Sequence, residues 1–249
     1  MPILLCDKVV KSYPKVHNGG KPFILNVEHL ELEAPGIYLL LGRNGAGKTT
    51  FIKSILHLLI PDAGRIELFG MSFKNPESRR MIGYVPEECS FPQDLVFKEA
   101  IRLFNGLAGR RPESEALANE LIAKLYLNSL LNKKVSHLSR GEYQLLAIAN
   151  AFWGVSRFLV CDEPLNGLDP IQKERVLQYI HQLYQRMDLT VLFSTHVLSE
   201  AEQVYTSVLL VKEGSVGQPL TRHKIEEEFG SLYEFFRRAT VGGEDDVVE

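Results

Sequence analysis

"GIYLLLGRNGAGKT", residues 36–49, decides how the rest of this 249-residue sequence is read. The apolar run GIYLLL (36–41) leads straight into GRNGAGKT (42–49), which fits the pattern G-x-x-x-x-G-K-[ST]. Its setting, after a short buried strand and before a helix, is the one that pattern requires. Gly42, Gly45 and Gly47 let the backbone curl so that successive amides point inward at phosphate oxygens. Lys48 brings a point charge to the β- and γ-phosphates, and the Thr49 hydroxyl is placed to ligate Mg²⁺. The stretch implies ATP or GTP binding on an α/β scaffold.

Working outward, a helix is predicted from Thr49 to about Leu59. Upstream, the first thirty-odd residues alternate loosely and read as strands, with PKVHNGGKP as the turn between them. Downstream, FLVC (158–161), TVLFS (190–194) and SVLLV (207–211) read as further buried strands. Helical patterns alternate with them, through Leu145, Ile148, Ala149 and Phe152, then Val176, Ile180, Leu183 and Met187. Strand–helix alternation with apolar strands argues for a parallel sheet covered on both faces. Between about 90 and 138 the pattern turns to helices alone. Ala100, Ile101, Phe104 and Leu107 form one apolar face there, and Leu117, Leu121, Ile122 and Leu125 another. This segment reads as a helical subdomain inserted into the core. From about Gly217 one short helix around SLYEFFRRAT is predicted, then a solvated acidic tail, GGEDDVVE.

Composition narrows the class. At 45% hydrophobic and 24% charged the chain is an ordinary globular sequence, and a net charge of −3 gives no sign of nucleic-acid binding. Cys6, Cys89 and Cys161 lack metal or redox spacing and read as reduced packing residues of a cytosolic protein. The start, MPILLCDKVVKSY, is broken too early by charge for a secretory signal, and no run approaches the length of a membrane span.

Two further strand ends carry polar residues where open α/β sheets bind ligands. FLVCDEP (158–164) ends in Asp162, suited to holding Mg²⁺ through water, and Glu163, suited to polarising an attacking water. LFSTH leaves His196 within range of a γ-phosphate. Between these and the glycine loop lies VSHLSRGEYQLL (135–146), where Ser139 precedes an apolar helical run. It reads either as an N-cap or as half of an anion site built on the free amides of a helix start.

Together these segments resemble the nucleotide-binding domain of ABC transporters over nearly the whole chain. GRNGAGKTT corresponds to the Walker A loop and FLVCDEP to the Walker B strand. LSRGE (138–142) stands for the signature, NGLDP with Asp169 for the D-loop, and His196 for the switch histidine. The resemblance implies a P-loop NTPase (RecA-like) core with an N-terminal antiparallel β subdomain and an inserted helical subdomain. It divides 1–249 into 1–89 and 139–216 for the β subdomain and core, 90–138 for the helices, and 217–249 for a helix and tail. It implies an ATPase that takes ATP and Mg²⁺ and closes head to tail with a second ATP-binding subunit. In that arrangement Tyr13 stacks on adenine, with Phe23 a second aromatic nearby. Gly42, Asn44, Gly45, Ala46, Gly47, Lys48, Thr49 and Thr50 hold the phosphates, and Glu163 is the general base. Ser139, Arg140, Gly141 and Glu142 act on the partner's ATP, and Asp169 links the two sites.

Several positions depart from the family pattern, among them Leu145, where many relatives carry arginine. Glu87 stands for the Q-loop glutamine and can still ligate Mg²⁺ beside Thr49 and Asp162. Glu142 replaces the signature glutamine, and Arg140 its first glycine, either adding charge near the partner's phosphates or pointing to solvent. The Glu87 departure, NGLDP and the short tail look most like ATPases of ABC-2-type exporters. The resemblance therefore implies transmembrane permease subunits as separate chains, no nucleic-acid partner, and a cytoplasmic place at the inner face of the membrane. The alternative is a soluble ABC ATPase working on ribosomes, DNA or cluster assembly.

Overall fold

The chain opens with two ten-residue strands, β1 (Leu4–Tyr13) and β2 (Phe23–Leu32), followed by β3 (Gly36–Leu41) and helix α1 (Lys48–Ile55). The computed structural model describes residues 2–14, 22–108, 112–154 and 157–241. Next come β4 (Ala63–Leu68), β5 (Met71–Ser72), α2 (Pro76–Arg79) and β6 (Ile82–Val85). The chain then leaves the sheet for α3 (Phe97–Ala108), α4 (Pro112–Lys124), two 3₁₀ turns at Leu127–Leu130 and Val135–His137, and α5 (Arg140–Gly154). It returns through β7 (Phe158–Asp162), α6 (Pro170–Arg186), β8 (Thr190–Thr195), α7 (Leu198–Ala201) and β9 (Ser207–Lys212). It finishes with β10 (Ser215–Val216), β11 (Leu220–Thr221), α8 (Arg222–Phe229) and α9 (Leu232–Val241).

Among the described residues the strands form one sheet ordered β5-β4-β1-β2-β10-β9-β3-β8-β7-β6, with β11 also on β9. β1 pairs antiparallel with β2 and β4, whereas β9, β3, β8, β7 and β6 run parallel. Strands β3, β7 and β8 are buried along their whole length, as parallel strands covered on both faces must be. Their side chains divide by the period of two. Ile37, Leu39 and Leu41 join one core, with Leu159, Cys161, Val191 and Phe193, against α3 to α6. Tyr38 and Leu40 face the other, with Phe158, Val160 and Leu192, against α1 and strands β1 and β2. Helix α6 starts where Asp169 accepts the Gln172 amide at 2.9 Å and Pro170 supplies the fixed φ of a first turn.

Several boundaries differ from the sequence reading. The first helix stops at Ile55, not near Leu59, because His57 takes φ +57° and the Leu58 and Leu59 amides both fold back to the Lys53 carbonyl. The end of the chain holds two helices where one was predicted. They part at Gly230, φ +79°, and the extra one, α8, is capped by Thr221 and buries Ile225. The turn at 15–21, the acidic tail at 242–249, and the Phe104 and Leu107 side chains lie outside the described residues.

Candidate active site

Parallel strands bring their C-terminal ends to one edge, and here β3, β7 and β8 end in the polar residues singled out above. The glycine loop leaves β3 at Gly42 and enters α1 at Gly47. A Cβ on Gly42 would lie 2.5 Å from the Val211 carbonyl, and one on Gly47 only 2.7 Å from the Phe23 ring. Gly47 also holds φ +113°, so neither position admits a side chain without displacing the loop. No side chain caps α1, which leaves its first-turn amides turned to the loop's concave side.

Charged groups meet beside this loop. Lys48 is buried, donates to the Gly42 carbonyl at 2.8 Å, and stands 3.8 Å from Glu163 Oε1. The other oxygen, Glu163 Oε2, is 2.8 Å from His196 Nδ1. Glu163 takes φ +50°, a backbone state that non-glycine residues occupy only when their surroundings enforce it. Its N–H donates to Ser194 Oγ at 2.8 Å, and the Ser194 hydroxyl donates to Asp162 Oδ1 at 2.7 Å. Asp162 Oδ2 is buried and has no hydrogen-bond partner among the described residues. A buried carboxylate oxygen with no donor is costly unless a cation or ordered water meets it.

The adjoining cavity, about 490 Å³, is lined by Tyr13 and Phe23 on one side and by Asn44, Gly45, Gly47 to Thr50, Glu87 and Glu163 on the other. Its size suits a small-molecule ligand. Tyr13 and Phe23 are register partners across β1 and β2, their ring centroids 6.2 Å apart. Both aromatics therefore wall the cavity, with Phe23 resting on the loop. The orphaned Asp162 oxygen and the hydroxyl of Thr49, which lines the cavity, are donors of the kind Mg²⁺ takes. Among the described residues no group of three His, Cys, Asp or Glu could hold a metal unaided, so such a cation would need phosphate oxygens and waters.

A family model described as ABC transporter matches residues 25–166, from β2 through the loop and α5 to just beyond Glu163. The chain belongs to the ABC transporter family. It is an ATP-binding subunit and an ATPase of that family. It is similar to the bacitracin transport ATP-binding protein BcrA of Bacillus licheniformis, 34% identical over 84% of this chain and 69% of that protein. It is also similar to the Nod factor export ATP-binding protein I of Burkholderia lata, 32% identical over 85% of this chain and 70% of the relative. A solved ATP-binding subunit of an ABC transporter superposes with a TM-score of 0.80 at 27% identity, covering 96% of this chain and 99% of the other.

The signature turn of this ABC ATPase stands apart from the Walker A cavity. Ser139 and Arg140 are exposed and line a second cavity, about 480 Å³, with Glu88, Cys89 and Tyr143; Glu87 borders both cavities. Ser139 Oγ accepts the Glu142 amide at 3.2 Å while Glu142 Oε2 accepts the Ser139 amide at 2.7 Å, a reciprocal capping box. Lys133 donates to the same Glu142 oxygen at 2.6 Å. Partial burial raises the Glu142 pKa, but Lys133 and the Ser139 amide outweigh it and hold the carboxyl below its ordinary value. Arg140 lies along the D-loop, its Cγ, Nε and Cδ 3.2 to 3.4 Å from the point where Gly167 would carry a Cβ. Gly141 is packed so closely that a Cβ would meet the Gly167 carbonyl at 2.8 Å. Asp169 is exposed and caps α6.

Three residues escaped the sequence reading. Gln144, buried in α5, donates to the Pro164 carbonyl at 2.9 Å and ties the signature helix to the Walker B turn. A polar residue inside the apolar run YQLLAIA was the available signal. Ser194 had a similar one, as the first hydroxyl after TVLF. Lys133 had none, since its pairing depends on how the turn folds. Among the described residues no helix is long and apolar enough to cross a membrane.

Proposed function

We propose that this ABC ATPase hydrolyses MgATP at a site completed by a second ATP-binding subunit, powering export through separate membrane permease subunits. One observation carries the reading: Lys48 and Glu163 line one cavity, with His196 bonded to Glu163 and Asp162 tied to it through Ser194, while the capped signature turn is exposed beside another. A turn that lies outside its own subunit's phosphate-loop cavity and has a serine proton to donate is complementary to a neighbour's phosphates. Ser139 Oγ accepts its capping bond and keeps its proton to donate. The cap and the anion site are thus compatible roles of one hydroxyl.

Tyr13, with Phe23, stacks on the base, and the amides of Asn44 to Thr50 cradle the phosphates. Thr49 and Asp162 would hold Mg²⁺, with Glu87 as a further oxygen donor at the cavity rim. Mg²⁺, when bound, would supply positive charge to offset the charge that grows on the phosphates during cleavage. Lys48 neutralises the terminal phosphates, which offer it a nearer anion than Glu163 at 3.8 Å. Glu163 takes the proton of the attacking water, and His196, 2.8 Å from that carboxylate, orients it and contacts the γ-phosphate. Ser139, Arg140, Gly141 and Glu142 meet the partner's nucleotide, and Asp169 reaches across the same interface. Relatives named for Nod factor export support the export reading, with the chain held at the cytoplasmic face through its permease.

Glu163→Gln tests the assignment. The variant should bind ATP as the parent does, lose turnover by about a hundredfold or more, and run as a dimer when MgATP is present. Turnover at the parent rate would remove Glu163 as the base, and a monomer at saturating MgATP would remove the paired site.

A further inference from the structure

Asp162 and Glu163 sit side by side in sequence yet serve different ends, one toward a cation and one toward water. A single hydroxyl joins them. Ser194 lies opposite Asp162 in the β7–β8 register, and both are fully buried. Its Oγ accepts the Glu163 N–H at 2.8 Å and donates to Asp162 Oδ1 at 2.7 Å. Both partners of the hydroxyl are thereby fixed, and so is the direction of its proton, because an amide can only donate and a carboxylate oxygen here accepts.

We infer that Ser194 is a positioning residue for hydrolysis, setting the metal-side carboxylate and the base with one side chain. The inference rests on Glu163 being the base. The bond to Oδ1 fixes the Asp162 carboxyl and leaves Oδ2, the oxygen without a partner, for the cation site. The bond to the Glu163 N–H holds the residue at φ +50°, the turn that sets its carboxylate between Lys48 and His196. An apolar side chain at 194 would orphan two buried polar groups at once, and each would relax by turning its carboxylate away. Among the described residues no other group bonds to either atom, so no second residue duplicates the brace.

Ser194→Ala, Ser194→Thr and Glu163→Gln in the full chain test this. In Ser194→Ala, kcat should fall at least tenfold, with any rise in the KM for MgATP no larger than the loss of Mg²⁺-dependent affinity. Calorimetric binding of AMP-PNP in EDTA should match the parent, but the affinity gained on adding Mg²⁺ should shrink several-fold. Ser194→Thr, which keeps the hydroxyl, should recover both properties to within threefold. If Ser194→Ala does not fold, Ser194→Cys, of similar volume and with a weak donor, carries the same expectations. Parent-like kcat and Mg²⁺ gain in the variant lacking the hydroxyl would overturn the inference, as would Ser194→Thr that recovers neither. If Glu163→Gln keeps full turnover, the base assignment itself falls. If Glu163→Gln is inactive while Ser194→Ala is not, only the role of Ser194 falls.

Discussion

Glu142 carries a negative charge where the family resemblance has an amide, at the turn proposed to meet a partner's phosphates. The structure supplies the compensation next door, since the Lys133 ammonium and Glu142 share a 2.6 Å contact. Lys133 and the Ser139 amide thereby offset the charge that Glu142 would otherwise bring to the partner's nucleotide. A carboxyl held below its ordinary value of 4.5 adds stability that is complete above that value and disappears as the pH falls through the lower, folded one. Lys133→Met should accordingly lower the thermal midpoint by a constant amount at neutral pH, and the gap should close in acid below 4.5. A gap that persisted there would mean that lost packing, not charge, is responsible. The phosphate loop, Asp162, Glu163 and His196 could be read at this scale because fixed spacing and strand ends announce them. Ser194 and Lys133 could not, because their significance comes from partners 32 and 9 residues away that only the folded chain brings near.

The buried strands behave as elements whose pattern and environment agree. β3, β7 and β8 form where apolar runs were read, each ending a residue or so from the predicted limit. Helices were harder to place where burial is sparse. α8 buries only Ile225 among its side chains, so its sequence carries almost no periodic signal, and α1 ends early through a backbone turn that no apolar pattern encodes. The two-residue strands β10 and β11 exist by virtue of the neighbours they pair with, β2 and β9. Leu192, fully buried on β8 and facing the α1 side, measures how tightly these elements pack. Leu192→Ala should cost about 2 to 5 kcal/mol by chemical denaturation, with the circular dichroism of the native state unchanged. A loss near zero would mean that this core tolerates a cavity.

For the whole molecule, the proposed reading makes the isolated chain half of a device, with an exposed signature turn separate from its own nucleotide cavity. The export reading adds a membrane partner, and it predicts that tagged protein drawn from detergent-solubilised membranes brings with it a polytopic membrane protein in near-equal amount. Retrieval of ribosomes instead would refute it. The α/β class was legible from the alternation of buried strands and amphipathic helices, whereas the joining of the antiparallel arm to the parallel strands through β10 was not. One feature of that sheet reaches further. Because β3, β7 and β8 split alternate side chains between two cores, they act as a party wall whose sides answer to different tenants. Over evolutionary time, substitutions on the side facing α3 to α6 can be repacked to suit new partners. The opposite side, which holds α1, can meanwhile stay as it is.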